Sequence, residues 1–167
     1  MSEKNKVFSS KIKYSGIVNF ADFYKFCFDW LKEETGLNLT ENKYAEKLGG
    51  DSKNIDVEWS GSRDLTDYFK ADIKISFRVG GLTNTEITID GKKIKTNKGS
   101  IEVSISGTLV RDPKGKFEKN SLQKFMRGIY EKMVIPERIG EFEKKIMDDC
   151  DEFLSQAKAY LDLEGKR

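Results

Sequence analysis

The order of its hydrophobic patterns constrains the fold of this chain more than any other feature. Residues 69–79 and 101–109 alternate between apolar and polar side chains, which is typical of strands with one buried face. Residues 20–35 and 121–163 instead show helical spacing. The chain therefore predicts a single α+β domain over residues 1–167, in which helices cover one face of an antiparallel sheet of five to seven strands.

Further strands complete this predicted sheet. Residues 6–18 are predicted as the first strand, and residues 55–59 alternate in the same way. Asp90-Gly91, between residues 86–89 and 92–95, is typical of a two-residue type I′ hairpin. Together these segments predict a meander of strands that are joined by tight turns.

Four segments around these strands are predicted as turns or are ambiguous. Gly80-Gly81 is predicted as a turn or bulge and Asn97-Lys98-Gly99 as a turn, and residues 112–115 are predicted to end the sheet. Residues 40–48 fit either a short helix or a strand. A strand is favoured, because the alternating residues 55–59 need an antiparallel neighbour.

The N-terminal helix, predicted over residues 20–35, is unusually apolar. Asn19 is its predicted N-cap, and Gly36 is predicted just past its end. Its apolar side chains cover an arc of about 200°, whereas one sheet face buries a stripe of somewhat over 100°. A second surface must therefore cover this helix, and both the C-terminal helix and a protein partner are candidates. The candidate residues of a protein interface are Phe26, Phe28 and Trp30.

A long amphipathic region forms the C-terminal part of the chain. Residues 121–163 keep helical spacing, and Pro136 is predicted to break or kink the run. A helix over residues 137–163 would be about 40 Å long, which is enough to cross a sheet. The order of strand, helix, strand meander and helix resembles the helix-grip arrangement, in which a curved antiparallel sheet wraps a long C-terminal helix. This resemblance concerns element order, so it implies a fold and no function.

The composition argues against several chemistries. The chain contains no histidine, which removes the commonest general base, zinc ligand and pH switch. No nucleophile, base and stabilising group can be named together, so no enzyme activity, metal or cofactor is predicted. Cys27 lies among aromatic residues and is expected to be a buried thiol. The N-terminus has no signal-peptide core and no segment fits a membrane span, so a cytoplasmic protein with reduced thiols is expected.

Charge is distributed unevenly, although 30 basic residues nearly balance 28 acidic ones. A basic cluster on the predicted hairpin consists of Lys92, Lys93, Lys95 and Lys98. It is predicted as solvated surface, with nucleic-acid phosphates as an alternative partner. An acidic cluster near the C-terminus consists of Asp148, Asp149, Asp151 and Glu152. It is predicted as a solvated helix face, and attraction to the basic hairpin of a neighbouring copy would favour head-to-tail assembly.

Three functional hypotheses follow from these features. The leading one is a non-catalytic protein-interaction or self-assembly protein that forms homo-oligomers through its first helix or a sheet edge. The alternative is binding of an apolar small molecule or lipid between the sheet and the C-terminal helix. The candidate lining residues of that site are Trp59, Phe69, Phe77, Phe142, Phe153 and Tyr160. The third hypothesis is weak nucleic-acid binding through the lysine hairpin.

Overall fold

The computed structural model describes residues 3–111, 125–126, 129 and 135–166, with side chains in the last range from Arg138 onward. Its elements in chain order are β1 (Glu3–Ile17), α1 (Phe20–Thr35), β2 (Asn38–Gly49), β3 (Ser52–Asp64), β4 (Phe69–Ile89), β5 (Lys92–Arg111) and α2 (Ile135–Gly165). The five strands form one sheet in the order β1-β5-β4-β3-β2, and every neighbouring pair is antiparallel. The predicted α+β class, strand arrangement and helical cover are therefore confirmed.

Both helices pack on one face of the sheet, which is called the inner face below. This face buries the alternating apolar residues of β3, β4 and β5, so the core lies between sheet and helices. The approach of α2 to β5 is close at Gly107. A Cβ atom at that position would lie 2.5 Å from Cγ2 of Ile146 and 3.1 Å from Sγ of Cys150. The absence of a side chain therefore lets α2 rest directly on the sheet.

The predicted bounds and caps of α1 are confirmed. The side chain of Asn19 accepts a hydrogen bond from the backbone N of Asp22 at 3.2 Å, which satisfies one of the unpaired N–H groups of the first turn. Gly36 adopts a left-handed conformation just past the last turn. These local signals work because they require only nearby residues.

The wide apolar arc of α1 contacts the sheet on one side and α2 on the other. Phe26 stacks on Tyr160 of α2 with ring centroids 4.8 Å apart. The rings of Trp30 and Phe153 lie 5.9 Å apart. The prediction that the C-terminal helix covers this arc is confirmed, because α2 supplies the second surface that the arc requires.

The strand predictions are mostly confirmed, with two corrections. Residues 40–48 belong to β2, as favoured, and β1 begins at Glu3 instead of residue 6. Gly80-Gly81, predicted as a turn or bulge, lies at a bulge-like irregularity, because β4 continues through it with a shift of register between Gly80 and Thr83. The predicted turn at residues 97–99 is wrong. Asn97 pairs with Asn84 across the ladder, and its carbonyl accepts a hydrogen bond from the backbone N of Val18 at 2.9 Å, so β5 stays extended there.

The C-terminal region is described in part. Residues 125–126 and 129 are helical, while the predicted sheet end at residues 112–115 and most of residues 121–134 lie outside the described residues. The helix α2 begins at Ile135, so Pro136 falls in its first turn, where a missing N–H costs little. Its 31 residues span about 46 Å. No helix among the described residues is both long and apolar enough to cross a membrane.

Candidate interaction surfaces

The six residues predicted to line a pocket are distributed through the packed core. Trp59, Phe69, Phe77 and Phe153 are fully buried, and Phe142 and Tyr160 are half-buried. They form separate contacts: Trp59 meets Phe77 with ring centroids 4.8 Å apart, and Phe69 meets Phe142 at 5.0 Å. The structure therefore brings these rings together as packing pairs, and the proposal that they bind a ligand stays a prediction.

A small cleft lies between the C-terminal end of α1 and the middle of α2. Its walls include Leu31, Leu37, Ile73 and Ile146, and its volume is about 20 Å³. That volume holds about one water molecule. An apolar ligand of larger size requires α1 and α2 to move apart.

The three residues predicted as a protein interface are all half-buried within the chain. Phe26 and Trp30 contact α2, as described above, and Phe28 meets Trp59 with ring centroids 5.4 Å apart. Their contacts within the chain are extensive, so a partner would reach only their remaining exposed edges. Their role in a protein interface stays a prediction.

The lysine hairpin forms the end of a much longer structure, the arm, defined here as residues 83–98. Its strands pair with each other from Thr83 and Lys98 to Ile89 and Lys92. The pairing of β3 with β4 ends at Leu82, and the pairing of β1 with β5 ends at Lys98. The arm therefore extends about 20 Å as a ribbon of two strands, with no third strand beside it in the described sheet.

The register of the arm separates its side chains onto two faces. One face, the apolar arm face, carries Ile87 directly opposite Ile94, with Ile89 opposite Lys92. The other face carries Glu86 opposite Lys95 and Thr88 opposite Lys93. The four predicted lysines are thus divided, since Lys92 and Lys98 lie on the apolar arm face and Lys93 and Lys95 lie on the opposite one. Ile94 remains 41% exposed.

Local chemistry sets both ends of the arm. At the tip, Asp90 has φ 52° and Gly91 has φ 77°, and two positive φ values are the signature of a type I′ turn, which confirms that prediction. At the base, Asn97 donates a hydrogen bond from Nδ2 to Oδ1 of Asn84 at 3.0 Å. Its own Oδ1 accepts one from the backbone N of Phe20 at 3.3 Å. Asn97 therefore links the arm to the first turn of α1.

The exposed side of α2 has the opposite charge from the arm. The helix contains nine Asp/Glu and four Lys/Arg, whereas the arm contains four Lys and two Asp/Glu. Lys145 and Asp149 form an ion pair at 3.0 Å. Asp151 is exposed and forms no ion pair within the described part of the chain. Met147 beside these acids is 42% exposed. The acidic α2 face, defined here as Met147, Asp148 and Asp151, therefore combines negative charge with an apolar side chain.

The face of the sheet that points away from the helices, the outer face, is polar and largely basic on its β1-β5-β4 side. Between the row of Lys4, Val110 and Lys70 and the row of Lys13, Glu102 and Arg78, the outward positions carry seven basic residues and two acidic ones. The basic residues are Lys4, Lys6, Lys11, Lys13, Lys70, Lys74 and Arg78, and the acidic ones are Asp72 and Glu102. Serine occupies many positions between them. Long cationic side chains therefore surround short hydroxyl side chains on this face.

The two cysteine thiols are shielded from solvent. Cys27 and Cys150 are both free and buried, so the prediction for Cys27 is confirmed. Burial raises the pKa of the Cys27 thiol well above its ordinary value, and burial followed by the charge of Asp149 raises that of Cys150 to about 12. Neither thiol is suited to act as a nucleophile at neutral pH. Within the described ranges, no three His, Cys, Asp or Glu residues form a group that could hold a metal ion.

No protein-family model matches the chain, and no curated protein sequence does either. The chain's own surfaces are therefore the basis for proposing a function. Two of these escaped the sequence analysis, the apolar arm face and the basic outer face. The alternation within β4 and β5 was a usable signal for the first, but the second depends on strand order, which alternation does not reveal.

Proposed function

We propose that this protein is a non-catalytic interaction protein that associates with further copies of itself through the arm. The observation that carries the proposal is the apolar arm face, where Ile87, Ile89 and Ile94 project from a ribbon without a third strand. An isolated two-stranded hairpin is marginally stable in water, and packing against another surface supplies the missing stabilisation. A partner that covers the isoleucines would do this.

The acidic α2 face of a second copy has the chemistry that the arm requires. Met147 offers an apolar contact for the isoleucines, and Asp148 and Asp151 offer charges complementary to Lys92 and the other arm lysines. The arm and the acidic α2 face are different surfaces, so each copy carries one of each. Such a contact is head-to-tail and adds copies in one direction unless a ring closes.

The first experiment measures mass by light scattering during size-exclusion chromatography, across protein concentration and salt. We expect association that weakens as salt rises, because part of the contact is between exposed charges. Replacement of both Ile87 and Ile94 by threonine should abolish association, while the β-branched side chain preserves the strand. Leu48→Thr is the matched control, since Leu48 of β2 is 78% exposed and its loss should leave association unchanged.

Mixing two variants tests the head-to-tail geometry itself. Copies with the isoleucine replacements retain an intact acidic α2 face, and copies with Asp148→Lys and Asp151→Lys retain an intact arm. Each variant alone should be monomeric, yet an equal mixture should form dimers and stop there. A mixture that stays monomeric would exclude this pairing of surfaces, and monomeric wild-type protein at high concentration would exclude self-association altogether.

A further inference from the structure

The outer face of the sheet carries a second interaction surface that the proposed self-association does not use. Its basic residues come from β1 and β4, which are far apart in sequence and become near neighbours because β5 lies between them. Strands two positions apart in a sheet are separated by about 10 Å. Lysines from both strands therefore share one surface with the hydroxyl groups of β5.

Three lysines on this surface lack a counter-charge. Lys6 faces Thr108 across the ladder, Lys74 faces Ser106 and Ser60, and Lys4 faces Val110. None of these lysines forms an ion pair within the described part of the chain. By contrast, Lys11 and Lys13 approach Glu102, at 3.7 and 4.0 Å, and Lys70 approaches Asp72.

Short hydroxyl side chains leave a shallow depression among these lysines. Its volume is about 450 Å³ and it is open to solvent. Its lining includes Lys6, Lys74 and four serines, with Asn42 and one acidic residue, Glu58, on the side of β2 and β3; the serines are Ser9, Ser76, Ser104 and Ser106. Lysine ammonium groups and serine hydroxyls are among the side-chain groups that proteins use to contact phosphate oxygens in nucleic acids. The depression therefore provides hydrogen-bond donors for the oxygens of a phosphate backbone.

The composition of the outer face distinguishes between two possible anionic partners. A second copy could offer its acidic α2 face, but stable protein interfaces have an apolar core. Between the row of Lys4, Val110 and Lys70 and the row of Lys13, Glu102 and Arg78, the outward positions of β1, β5 and β4 include Val110 as their one large apolar residue. Protein–nucleic acid interfaces are instead polar and strongly basic. The outward positions of the described strands hold no aromatic residue on which unpaired bases could stack. These features favour a duplex over a single strand.

We infer that the outer face binds the phosphate backbone of double-stranded nucleic acid without sequence preference, with Lys4, Lys6 and Lys74 as phosphate contacts. Three phosphate contacts imply a slope of about −2.7 in a plot of log affinity against log salt concentration. Binding should therefore weaken about 40-fold between 50 and 200 mM NaCl. The unequal charge of the two layers orients the molecule, because the helices are acidic and face away from the duplex.

The test is fluorescence anisotropy with labelled 20-base-pair duplexes of random sequence and the matching single strands, titrated from 50 to 200 mM salt. Replacement of Lys4, Lys6 and Lys74 by glutamine should weaken duplex binding at least 10-fold at 50 mM and reduce the salt slope by about 2.7. The matched control replaces Lys92, Lys93 and Lys95 of the arm by glutamine, which changes net charge equally. We expect that variant to keep nearly the full slope.

Several results would overturn the inference. Equal losses of duplex affinity in the two triple variants would mean that the duplex responds to net charge and not to the outer face. Absence of duplex binding at 50 mM salt would exclude double-stranded nucleic acid as the partner. Tighter binding of single strands, or equal binding of poly-glutamate, would assign a different anion to the face. Loss of self-association in the outer-face variant would assign the face to contacts between copies. Circular dichroism of each variant verifies that it remains folded.

Discussion

Replacement of Gly107 by alanine tests how α2 is seated on the sheet. The added methyl carbon would lie 2.5 Å from Cγ2 of Ile146, whereas nonbonded carbon atoms are at their optimum at about 3.5–4.0 Å. The added methyl carbon and Cγ2 of Ile146 must therefore move apart by about 1 Å. Ile146 is buried and β-branched, so its Cγ2 cannot turn away freely. The strain must move α2 or the strand itself.

The expected cost is that of an overpacked core, about 1–3 kcal/mol of the free energy of unfolding. For a chain of 167 residues the entropy of unfolding is about 0.35 kcal/mol per kelvin, so the midpoint of thermal unfolding should fall by about 3–9 °C. Calorimetry or denaturant titration measures this change. Gly140→Ala is the matched control, because nothing lies near that position of α2 and the helix should gain up to about 1 kcal/mol.

A double-mutant cycle then assigns the strain to its atoms. Ile146→Ala alone should cost about 2–5 kcal/mol, because it leaves a cavity in the core. In the double variant, the methyl group added by Gly107→Ala would occupy part of that cavity. Its loss of stability should therefore be smaller than the sum of the two single losses by at least about 1 kcal/mol. Additive effects, or a Gly107→Ala protein as stable as the wild type, would refute this account of the contact.

Three further predictions concern other parts of the structure. Asn97→Ala should cost about 1 kcal/mol and speed hydrogen exchange at the Phe20 amide, because that N–H loses its acceptor; unchanged exchange would show that the side chain does not hold the arm to α1. Trp59→Ala should cost about 3–5 kcal/mol in a denaturant titration, because a fully buried indole is removed. Cys27 should resist alkylation in the folded protein even at pH 9–10. Its raised pKa stabilises the fold below an ordinary thiol pKa near 9, and this contribution should decline as pH rises further, which pH-dependent unfolding will measure.

Local sequence signals predicted the elements of this fold better than their arrangement. Asn19 and Gly36 mark the ends of α1 correctly, because capping depends on residues within one helical turn. Asp90-Gly91 marks the hairpin correctly for the same reason. The glycine pair at 80–81 left a turn and a bulge open, since a change of register in a long strand uses the same residue types as a turn.

The candidate surfaces show the same limit. Lys92, Lys93, Lys95 and Lys98 are neighbours in sequence, yet alternation places them on two faces of the arm. Lys6 and Lys74 are distant in sequence, yet the sheet order places them on one surface. The pairing of strands that are distant in sequence determines which residues share a surface, and a single sequence indicates that pairing only indirectly. The proposed surfaces therefore required the register of the strands.

The strand order also has a consequence for how the chain reaches its folded state. Of the five strands, β1 is synthesised first and β5 last. β1 lies at an edge of the sheet, and its partner in the described sheet is β5. Glu3 pairs with Arg111, a separation that carries a large loop-closure cost and slows folding. As the chain leaves the ribosome, β1 must wait unpaired until about a hundred further residues have followed it. During that interval, its lysines should discourage pairing with strands of other nascent chains.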